Sequence, residues 1–283
     1  MKIEKFFDKR TFTLTYLLWD EASKDAIIID PVLDYDPEDS RIWFESIDKI
    51  DKVIGEEQLK LRYVLETHAH ADHLSGAQEL KRRYPEARVA IGNKIDMVQG
   101  AFKPVFGLGD DFPTDGSQFD ELLEDAQTLE AGSLKVEVIA TPGHTPACLS
   151  YKVDDAVFTG DALFLPDSGT GRCDFPAGSA QDLYTSVHDR LYALPDETRV
   201  FVGHDYQPNG RSVQCESTIG EEKASNIQLT GDTPEDRFVE LRETRDATLK
   251  APRLLYQSVQ VNIDAGQLPP GSTRSNAELK APV

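Results

Sequence analysis

Half of the six histidines in this chain lie in one six-residue segment, His68-Ala-His-Ala-Asp-His73. The segment directly follows an apolar run with strand character, Leu61-Arg-Tyr-Val-Leu-Glu66. Imidazole and carboxylate groups are the side chains that bind Zn, Fe or Mn at neutral pH. The alternative is a polar loop that is rich in histidine by chance. Four such groups at the end of one strand favour a metal site, which requires a fold that brings strand ends together.

Two more histidines and one aspartate follow other predicted strands. Each of His144, Asp161 and His204 comes after a β-forming run and directly after a glycine. Glycine lets the backbone turn sharply at such a point. Because α/β scaffolds build sites from residues at several strand ends, these three are candidate partners of the first cluster. His188, the sixth histidine, lies within a predicted helix and is expected to be a surface or half-packed residue.

The order of the predicted elements indicates a layered α/β sandwich, because two runs of strands each close with helix. Residues 99–126 are expected to form a long irregular loop, and Ser179 is the expected N-cap of one helix. The predicted strands are 11–19, 26–30, 61–66, 88–91, 134–140, 148–153, 156–159 and 198–202. The predicted helices open at Pro37-Glu-Asp-Ser40, span 72–84 and 179–194, and begin at Thr233-Pro-Glu-Asp236.

Composition argues against several kinds of partner. The 283 residues carry a formal net charge of -20, which argues against nucleic acid and against an anionic membrane surface. No apolar run approaches the roughly eighteen residues of a spanning helix, and the N-terminus has no apolar signal core. Cys148, Cys173 and Cys215 form no C-x-x-C motif, so neither a disulfide framework nor a thiolate zinc site is expected. These features predict a cytoplasmic protein.

Seven positions, in their order along the chain, resemble the metal-binding set of the metallo-β-lactamase-fold superfamily. They are His68-x-His70-x-Asp72-His73, His144, Asp161 and His204. The short motifs around these positions, such as Thr-Pro-Gly-His-Thr-Pro and Thr-Gly-Asp-Ala-Leu, resemble those of the branch that contains persulfide dioxygenases and glyoxalase II. The resemblance implies an α/β fold of the four-layer αββα type. We expect a catalytic core over residues 1–215 and a C-terminal helical extension, 216–283, that packs on the core and has no assigned catalytic role.

Two segments favour the dioxygenases within this branch. Gly171-Arg172-x-Asp-Phe175 resembles the dioxygenase pattern, whereas glyoxalase II usually has Phe-Glu soon after its Gly-Arg. His204-Asp-Tyr206 also resembles the dioxygenases. One departure from their pattern lies just before Gly171, where Thr170 stands in place of the Cys that is common in that branch. The sequence therefore predicts a glutathione-dependent persulfide dioxygenase. The alternative is a two-metal thioester hydrolase of the glyoxalase II kind, a hydroxyacylglutathione hydrolase. A non-catalytic scaffold is disfavoured because all seven ligand positions are intact.

The resemblance also implies roles for these residues. One Fe(II) per chain would be held by His68, His144 and Asp161, with Zn(II) as the alternative metal. Two imidazoles and one carboxylate on one face of iron leave three positions open for a substrate sulfur and O₂. The other histidines, His70, His73 and His204, would orient these ligands or hold a second metal. Asp72 and Arg172 are the remaining candidate catalytic residues.

The implied substrates are glutathione persulfide and O₂, and the implied products are sulfite and a thiol. An anionic substrate needs cationic and hydroxyl partners, and the candidates are Arg172, Tyr206, Arg211 and Lys223. The alternative for Arg172 is an ion pair with Asp174, and the others could be solvated surface residues. Arg172 could also lower the pKa of the neighbouring Cys173, although the iron mechanism needs no protein thiol. The sequence does not fix the oligomeric state, and a homodimer is compatible with it.

Overall fold

The computed structural model describes residues 1–273, 275–279 and 281–282. These residues divide into two compact units. The first comprises residues 1–123, 130–134 and the described residues from 251 onward, and the second comprises 124–129 and 135–250. The predicted domain boundary between residues 215 and 216 stays a prediction.

The first unit is built on a six-stranded sheet with the spatial order β1-β2-β3-β6-β8-β9, beside a small sheet with the order β5-β4-β7. The large sheet is antiparallel from β1 to β3 and parallel from β3 to β9. The strands are β1 (Lys2–Asp8), β2 (Thr13–Trp19), β3 (Asp25–Ile29), β4 (Val32–Asp36), β5 (Arg41–Trp43), β6 (Lys60–Leu65), β7 (Leu74–Ser75), β8 (Arg88–Gly92) and β9 (Glu121–Leu123). The helices are α1 (Glu45–Glu57), α2 (Ala77–Arg83), α3 (Ile95–Phe102) and α7 (Leu255–Asn262).

The helices of the first unit bury apolar faces. In α1 the buried residues are Ile47, Ile50 and Ile54, at the spacing that places side chains on one face of a helix. Far along the chain, Val261 of α7 packs in one buried cluster with Leu74, the first residue of β7. The C-terminal helix is therefore part of the core beside the segment that carries the first histidine cluster.

The second unit holds most of a second six-stranded sheet with the order β10-β11-β12-β13-β14-β15. In this sheet β13 and β14 are parallel, whereas β11–β12, β12–β13 and β14–β15 are antiparallel. The helix α4 continues as a π-helix over Thr185–Leu191, and Pro208–Gly210 forms a short 3₁₀ turn. The strands are β10 (Thr128–Ala131), β11 (Leu134–Ala140), β12 (Leu149–Val153), β13 (Ala156–Phe158), β14 (Arg199–Phe201) and β15 (Glu216–Thr218). The helices are α4 (Ala180–Tyr184), α5 (Ile219–Ser225) and α6 (Glu235–Asp246).

The predicted α/β class is confirmed, and so are the predicted strands to within two residues at their ends. Ser179 is the N-cap of α4, as predicted, because its side chain accepts a hydrogen bond from the Asp182 backbone N–H. Pro234 immediately precedes α6, so the Thr233-Pro-Glu-Asp signal is confirmed as a helix start. Local sequence was sufficient for these elements because each is marked by periodicity or by a cap.

Three predicted elements differ from the structure. The helix expected after Ser40 begins only at Glu45, because residues 41–43 pair with β4 instead. The helix expected from Asp72 begins at Ala77, because Leu74 and Ser75 also pair with β4. The region 99–126, expected to be irregular, contains the last turn of α3 and the strand β9. The first two differences have one cause, pairing with β4 in a small sheet. Residues 41–43 reach β4 through a short turn, and Leu74 and Ser75 reach it from farther along the chain.

Burial of one carboxyl group makes the stability of the second unit depend on pH. Glu222 in α5 accepts hydrogen bonds from Ser217 Oγ and Asn226 Nδ2. Burial raises its pKa from 4.5 to about 7, even though both hydrogen bonds lower it. The neutral carboxyl therefore favours the folded state, and this stabilisation is complete below about pH 4.5 and is lost as the pH rises through about 7.

We therefore expect Glu222→Gln to be more stable than the wild type above pH 7, by up to about 3 kcal/mol, because the neutral amide has no charge to desolvate. Near pH 4.5 the two proteins should have similar free energies of unfolding. Urea unfolding between pH 4.5 and 8 measures the difference, with the exposed Glu197→Gln as the control. Parallel pH profiles for the wild type and Glu222→Gln would contradict the expectation.

Candidate metal centre

The loop after β6 is fixed by a buried carboxylate. Asp30 follows β3, the parallel neighbour of β6, and it accepts hydrogen bonds from the backbone N–H of Thr67 at 2.7 Å and from Thr67 Oγ1 at 2.8 Å. Since this hydroxyl donates to Asp30, its oxygen can accept from His68 Nδ1, which lies 3.0 Å away. The bond places the proton of His68 on Nδ1.

His70 lies between two buried carboxylates. Its Nε2 is 3.0 Å from Asp30 Oδ1 and 3.4 Å from Glu66 Oε2. Burial opposes the charged imidazole, but these carboxylates raise the pKa of His70 well above its ordinary value. Ser75 Oγ also donates to Glu66. The other ring nitrogen of His70, Nδ1, is buried and has no hydrogen-bond partner among the residues that the structure describes.

Asp72 and His73 form a second pair in the same loop. Asp72 Oδ2 lies 3.1 Å from His73 Nδ1 and accepts a hydrogen bond of 3.2 Å from Thr13 Oγ1. These contacts fix the orientation of the His73 ring. Its Nε2 is buried and has no hydrogen-bond partner within residues 1–273, 275–279 and 281–282.

These donor groups fit a metal ion. A buried polar nitrogen without a partner costs free energy, and a bound cation would offset that cost. Ligand atoms of His70, Asp72 and His73 all lie within 4.8 Å of one another. The set consists of imidazole nitrogen and carboxylate oxygen with no thiolate, which suits Zn, Fe or Mn. The first unit therefore contains a set of donor groups suited to holding a metal ion.

The second unit brings together the other three predicted ligands. Asp161 Oδ2 lies 3.6 Å from His144 Nε2, and Asp161 Oδ1 lies 3.3 Å from His204 Nε2. All three side chains are buried. The strands β13 and β14 are parallel neighbours, and Asp161 and His204 follow them, so both side chains reach the same sheet edge.

Geometry requires the glycine before two of these residues, His144 and His204. Gly143 has a φ of +140°, and a Cβ there would lie 2.5 Å from the backbone N of Leu183. At Gly203 a Cβ would lie 2.9 Å from the carbonyl carbon of Gly160. Gly143 therefore has the backbone conformation that favours glycine, as predicted, whereas Gly203 is needed because the neighbouring backbone leaves no room for a side chain.

The segment after Asp161 packs around His144. The Arg172 carbonyl lies 2.6 Å from His144 Nδ1, and because a carbonyl only accepts, this nitrogen carries the proton. The ring of Phe175 meets the His144 ring edge-on, with centroids 5.0 Å apart. Arg172 donates to both carboxylate oxygens of Asp174 and to the carbonyl of Lys250. The Gly-Arg-x-Asp-Phe segment therefore orients the imidazole and covers it.

The predicted cationic substrate contacts already have partners in the chain. The Arg172 guanidinium is paired with Asp174, which is the alternative weighed for it. Arg211 is paired with Asp167 and with the buried Asp205. Their roles in substrate binding stay predictions, and a substrate carboxylate would have to compete with these side chains.

Lys223 and Tyr206 differ in their surroundings. Lys223 pairs with Asp196 and lines a cleft of about 400 Å³ together with His188, and none of the seven predicted ligand positions lines this cleft. Tyr206 is half exposed, and its ring stacks on that of His204 with centroids 5.4 Å apart. Of the two, Tyr206 is the one in contact with a candidate ligand.

The three cysteines lie in the interior, and burial determines the direction of the pKa shift of Cys173. All three are buried and free of disulfides. Burial raises the pKa of Cys173 to about 12, although the Arg242 charge lowers it. The idea that the adjacent Arg172 lowers this pKa is therefore wrong, because the Arg172 guanidinium is paired with Asp174 and the thiol lies in the interior.

The sequence analysis missed one residue that supports the histidine loop from the far end of the chain. Asn262, the last residue of α7, donates from Nδ2 to the carbonyls of His70 and His73, each at 2.8 Å. Its Oδ1 accepts from the backbone N–H of Ser75 at 2.8 Å. The available signal was two polar residues, Gln260 and Asn262, alternating with the apolar residues of the run Val259–Ile263, which indicates buried amides but not their partners.

Comparison with known proteins identifies the class. The sequence model of the metallo-beta-lactamase superfamily matches residues 8–204, and the chain belongs to this family. It is 47% identical over 283 residues to "Glyoxylase B2" of Dictyostelium discoideum, covering 100% of this chain and 97% of that protein. It is 32% identical over 271 residues to the mitochondrial persulfide dioxygenase ETHE1 of Bos taurus, covering 95% and 90%. The crystal structure of ETHE1 from Myxococcus xanthus matches with a TM-score of 0.75 and 32% identity, covering 94% and 100%.

These comparisons confirm the predicted family and its metallo-β-lactamase fold. They also indicate an enzyme, because the relatives carry enzyme names. The names differ between the relatives, so family membership alone does not select one activity. No described helix is long and apolar enough to cross a membrane. The cytoplasmic location and the absence of a nucleic-acid partner stay predictions.

We expect Asn262→Leu to lower the free energy of unfolding by about 3 kcal/mol, because it removes three buried hydrogen bonds and leaves the Ser75 N–H without an acceptor. Chemical denaturation measures the change. Gln267→Ala, at an exposed position shortly after the same helix, is the control and should change stability little. A loss in Asn262→Leu no larger than in the control would show that these bonds do not hold the loop.

Proposed function

We propose that this chain is a glutathione-dependent persulfide dioxygenase. In the proposed reaction, glutathione persulfide, O₂ and water become glutathione and sulfite, with release of two protons from the sulfurous acid formed. The sulfur–sulfur bond breaks, the outer sulfur is oxidised, and O₂ is reduced. A bound Fe(II) would supply the redox chemistry that this reaction needs. The family match and the relatives named persulfide dioxygenase support the proposal.

One observation carries the choice of reaction. The segment that distinguishes the dioxygenase pattern from that of glyoxalase II, Gly171–Phe175, packs directly around His144. Its Arg172 carbonyl accepts the imidazole proton, and its Phe175 ring covers the imidazole edge. The Gly-Arg pair is common to both patterns, but Phe175 belongs to the part that differs, and its ring lies against a candidate iron ligand.

We assign the iron to His68, His144 and Asp161, as the resemblance implies. Two of these are imidazoles whose Nδ1 faces a hydrogen-bond acceptor, so the proton lies on Nδ1. The acceptors are Thr67 Oγ1 for His68 and the Arg172 carbonyl for His144. Such partners fix the tautomer and orientation of a metal-binding histidine and increase its basicity.

The remaining candidate residues would act around this centre. Asp72 holds the proton of His73 at Nδ1, and Asp30 holds His70, so both carboxylates keep neighbouring imidazoles in place. The Tyr206 hydroxyl is proposed as a donor to the substrate, because its ring stacks on His204 while the side chain remains half exposed.

A two-metal thioester hydrolase is the second candidate, and a specific observation favours it. His70 Nδ1 and His73 Nε2 are buried nitrogens without hydrogen-bond partners in the described part of the chain, as expected of ligands to a second ion. The similarity to the protein named "Glyoxylase B2" points the same way. Metal stoichiometry separates the two candidates.

We expect one iron per chain in protein purified without oxygen, measured by elemental analysis. His144→Ala should lose the iron, since only two of its three ligands would remain. His204→Ala should retain most of it, with an effect of about ten- to a hundredfold on affinity or activity. His188→Ala, in a helix and outside the seven positions, is the control. Two metals per chain, with loss of one of them in His204→Ala, would exclude the mononuclear centre and favour the hydrolase.

The substrate assignment is tested separately. With glutathione persulfide the iron-loaded enzyme should consume O₂ and release sulfite, whereas S-lactoylglutathione should be hydrolysed weakly or not at all. An oxygen electrode and a sulfite assay measure the first reaction, and thioester absorbance measures the second. His188→Ala should match the wild type, and His144→Ala should be inactive. A flat oxygen trace beside rapid thioester cleavage would refute the proposal.

A further inference from the structure

The helix α6 contains a buried ion pair that packing alone does not explain. Arg242 and Asp246 lie one turn apart, with side chains only 2% and 5% exposed. Desolvating two charges is costly, and an ion pair in the interior is retained at that cost only when further hydrogen bonds satisfy both partners. Both residues lie in the segment after residue 215, to which the sequence assigned no catalytic role.

Both charges are directed at one short piece of backbone. Arg242 Nη1 donates to the carbonyl of Thr170 at 3.1 Å and to Gln228 Oε1 at 2.8 Å. Asp246 Oδ2 accepts from the backbone N–H of Cys173 at 2.8 Å. The pair therefore holds the segment 170–173 at both ends.

Two buried amides complete this support. Gln228 Oε1 also accepts from the backbone N–H of Thr170 at 3.0 Å and from its hydroxyl at 3.1 Å. Asn226 Nδ2 donates to the carbonyl of Gly169 at 3.2 Å. The two consecutive peptide groups 169–170 and 170–171, just before Arg172, thus have hydrogen-bond partners on side chains from beyond residue 215.

The carbonyl of Arg172 lies between these anchored groups. It accepts the proton of His144 Nδ1 at 2.6 Å, which leaves His144 Nε2 on the side of Asp161 Oδ2, 3.6 Å away. If the segment moved, this carbonyl would move with it, and the imidazole would lose the acceptor that fixes its tautomer.

We infer that Arg242 and Asp246 are positioning residues for His144. They hold the Arg172 carbonyl in place, and through it they fix the Nδ1–H tautomer and the ring orientation of His144. The consequence for metal affinity rests on the proposed role of His144 as a ligand, whereas the tautomer itself does not. The segment after residue 215 thereby gains a role in the centre.

The test replaces the pair together, as Arg242→Met/Asp246→Leu in the full chain, so that no isolated charge stays buried. The matched control is Arg237→Met/Glu240→Leu, an ion pair on the same helix whose side chains are 71% and 70% exposed. The main measurement is the long-range ¹⁵N–¹H spectrum of the metal-free protein, with the His144 signals identified by their loss in His144→Gln. The wild type and the control should show only the Nδ1–H tautomer.

In Arg242→Met/Asp246→Leu we expect a mixture of both His144 tautomers and a roughly tenfold weaker affinity for Zn(II), measured by competition with a chelator. If this variant does not fold, Arg242→Met/Asp246→Asn serves instead, because it also leaves no buried charge, keeps a polar side chain at position 246 and removes the donor to the Thr170 carbonyl. An unchanged His144 spectrum in a folded variant of either kind would overturn the inference. Because the spectrum is recorded without metal or substrate, a chain that never consumes O₂ could still confirm the positioning role, and an active dioxygenase could still refute it.

Discussion

The structure depends on a simple requirement of buried imidazoles: each ring needs a partner that determines which nitrogen carries the proton. Here the partners are a hydroxyl for His68, carboxylates for His70 and His73, and a backbone carbonyl for His144. Each partner contacts one ring nitrogen and thereby sets the direction of the other. Burial makes these contacts essential, because a misplaced proton in the interior has no water to compensate for it.

The partners must themselves be held, and this requirement explains the polar residues of the C-terminal segment. Asn262 bonds the backbone of the loop that carries His70 and His73. In the second unit, Arg242 and Asp246 bond the segment that carries the Arg172 carbonyl. Without such bonds, buried amides and charges in α6 and α7 would only destabilise the chain. In each unit, therefore, side chains from the part of the chain that follows residue 215 hold the backbone next to candidate ligands in place.

Sequence reasoning could name the candidate ligands because ligand spacing and strand ends are local features. The segment His68–His73 and the glycines before His144 and His204 could be recognised within a few residues. The supporting hydrogen bonds could not be recognised in this way, because Asn262 bonds a carbonyl 192 residues away and Arg242 bonds one 72 residues away. Distance along the chain also hid the pairing of β4 with β7. The pairing of β4 with β5 is local, but the apolar residues from Ile42 to Ile54 have helical spacing and favoured a helix there. Burial reversed the expected effect on the pKa of Cys173.

The two candidate reactions share all seven ligand positions, so ligand identity cannot separate them. What can differ is how strongly each imidazole is held by the protein. His144 is held on one side by the Arg172 carbonyl and on the other by the Phe175 ring, both from the dioxygenase-like segment. His70 and His73 are also fixed, but each keeps one buried nitrogen without a hydrogen-bond partner among the described residues. The protein contacts of His144 come from the segment 171–175, whereas His70 and His73 each keep a buried nitrogen without a hydrogen-bond partner in the described part of the chain, so these two imidazoles are where the two candidate reactions would differ.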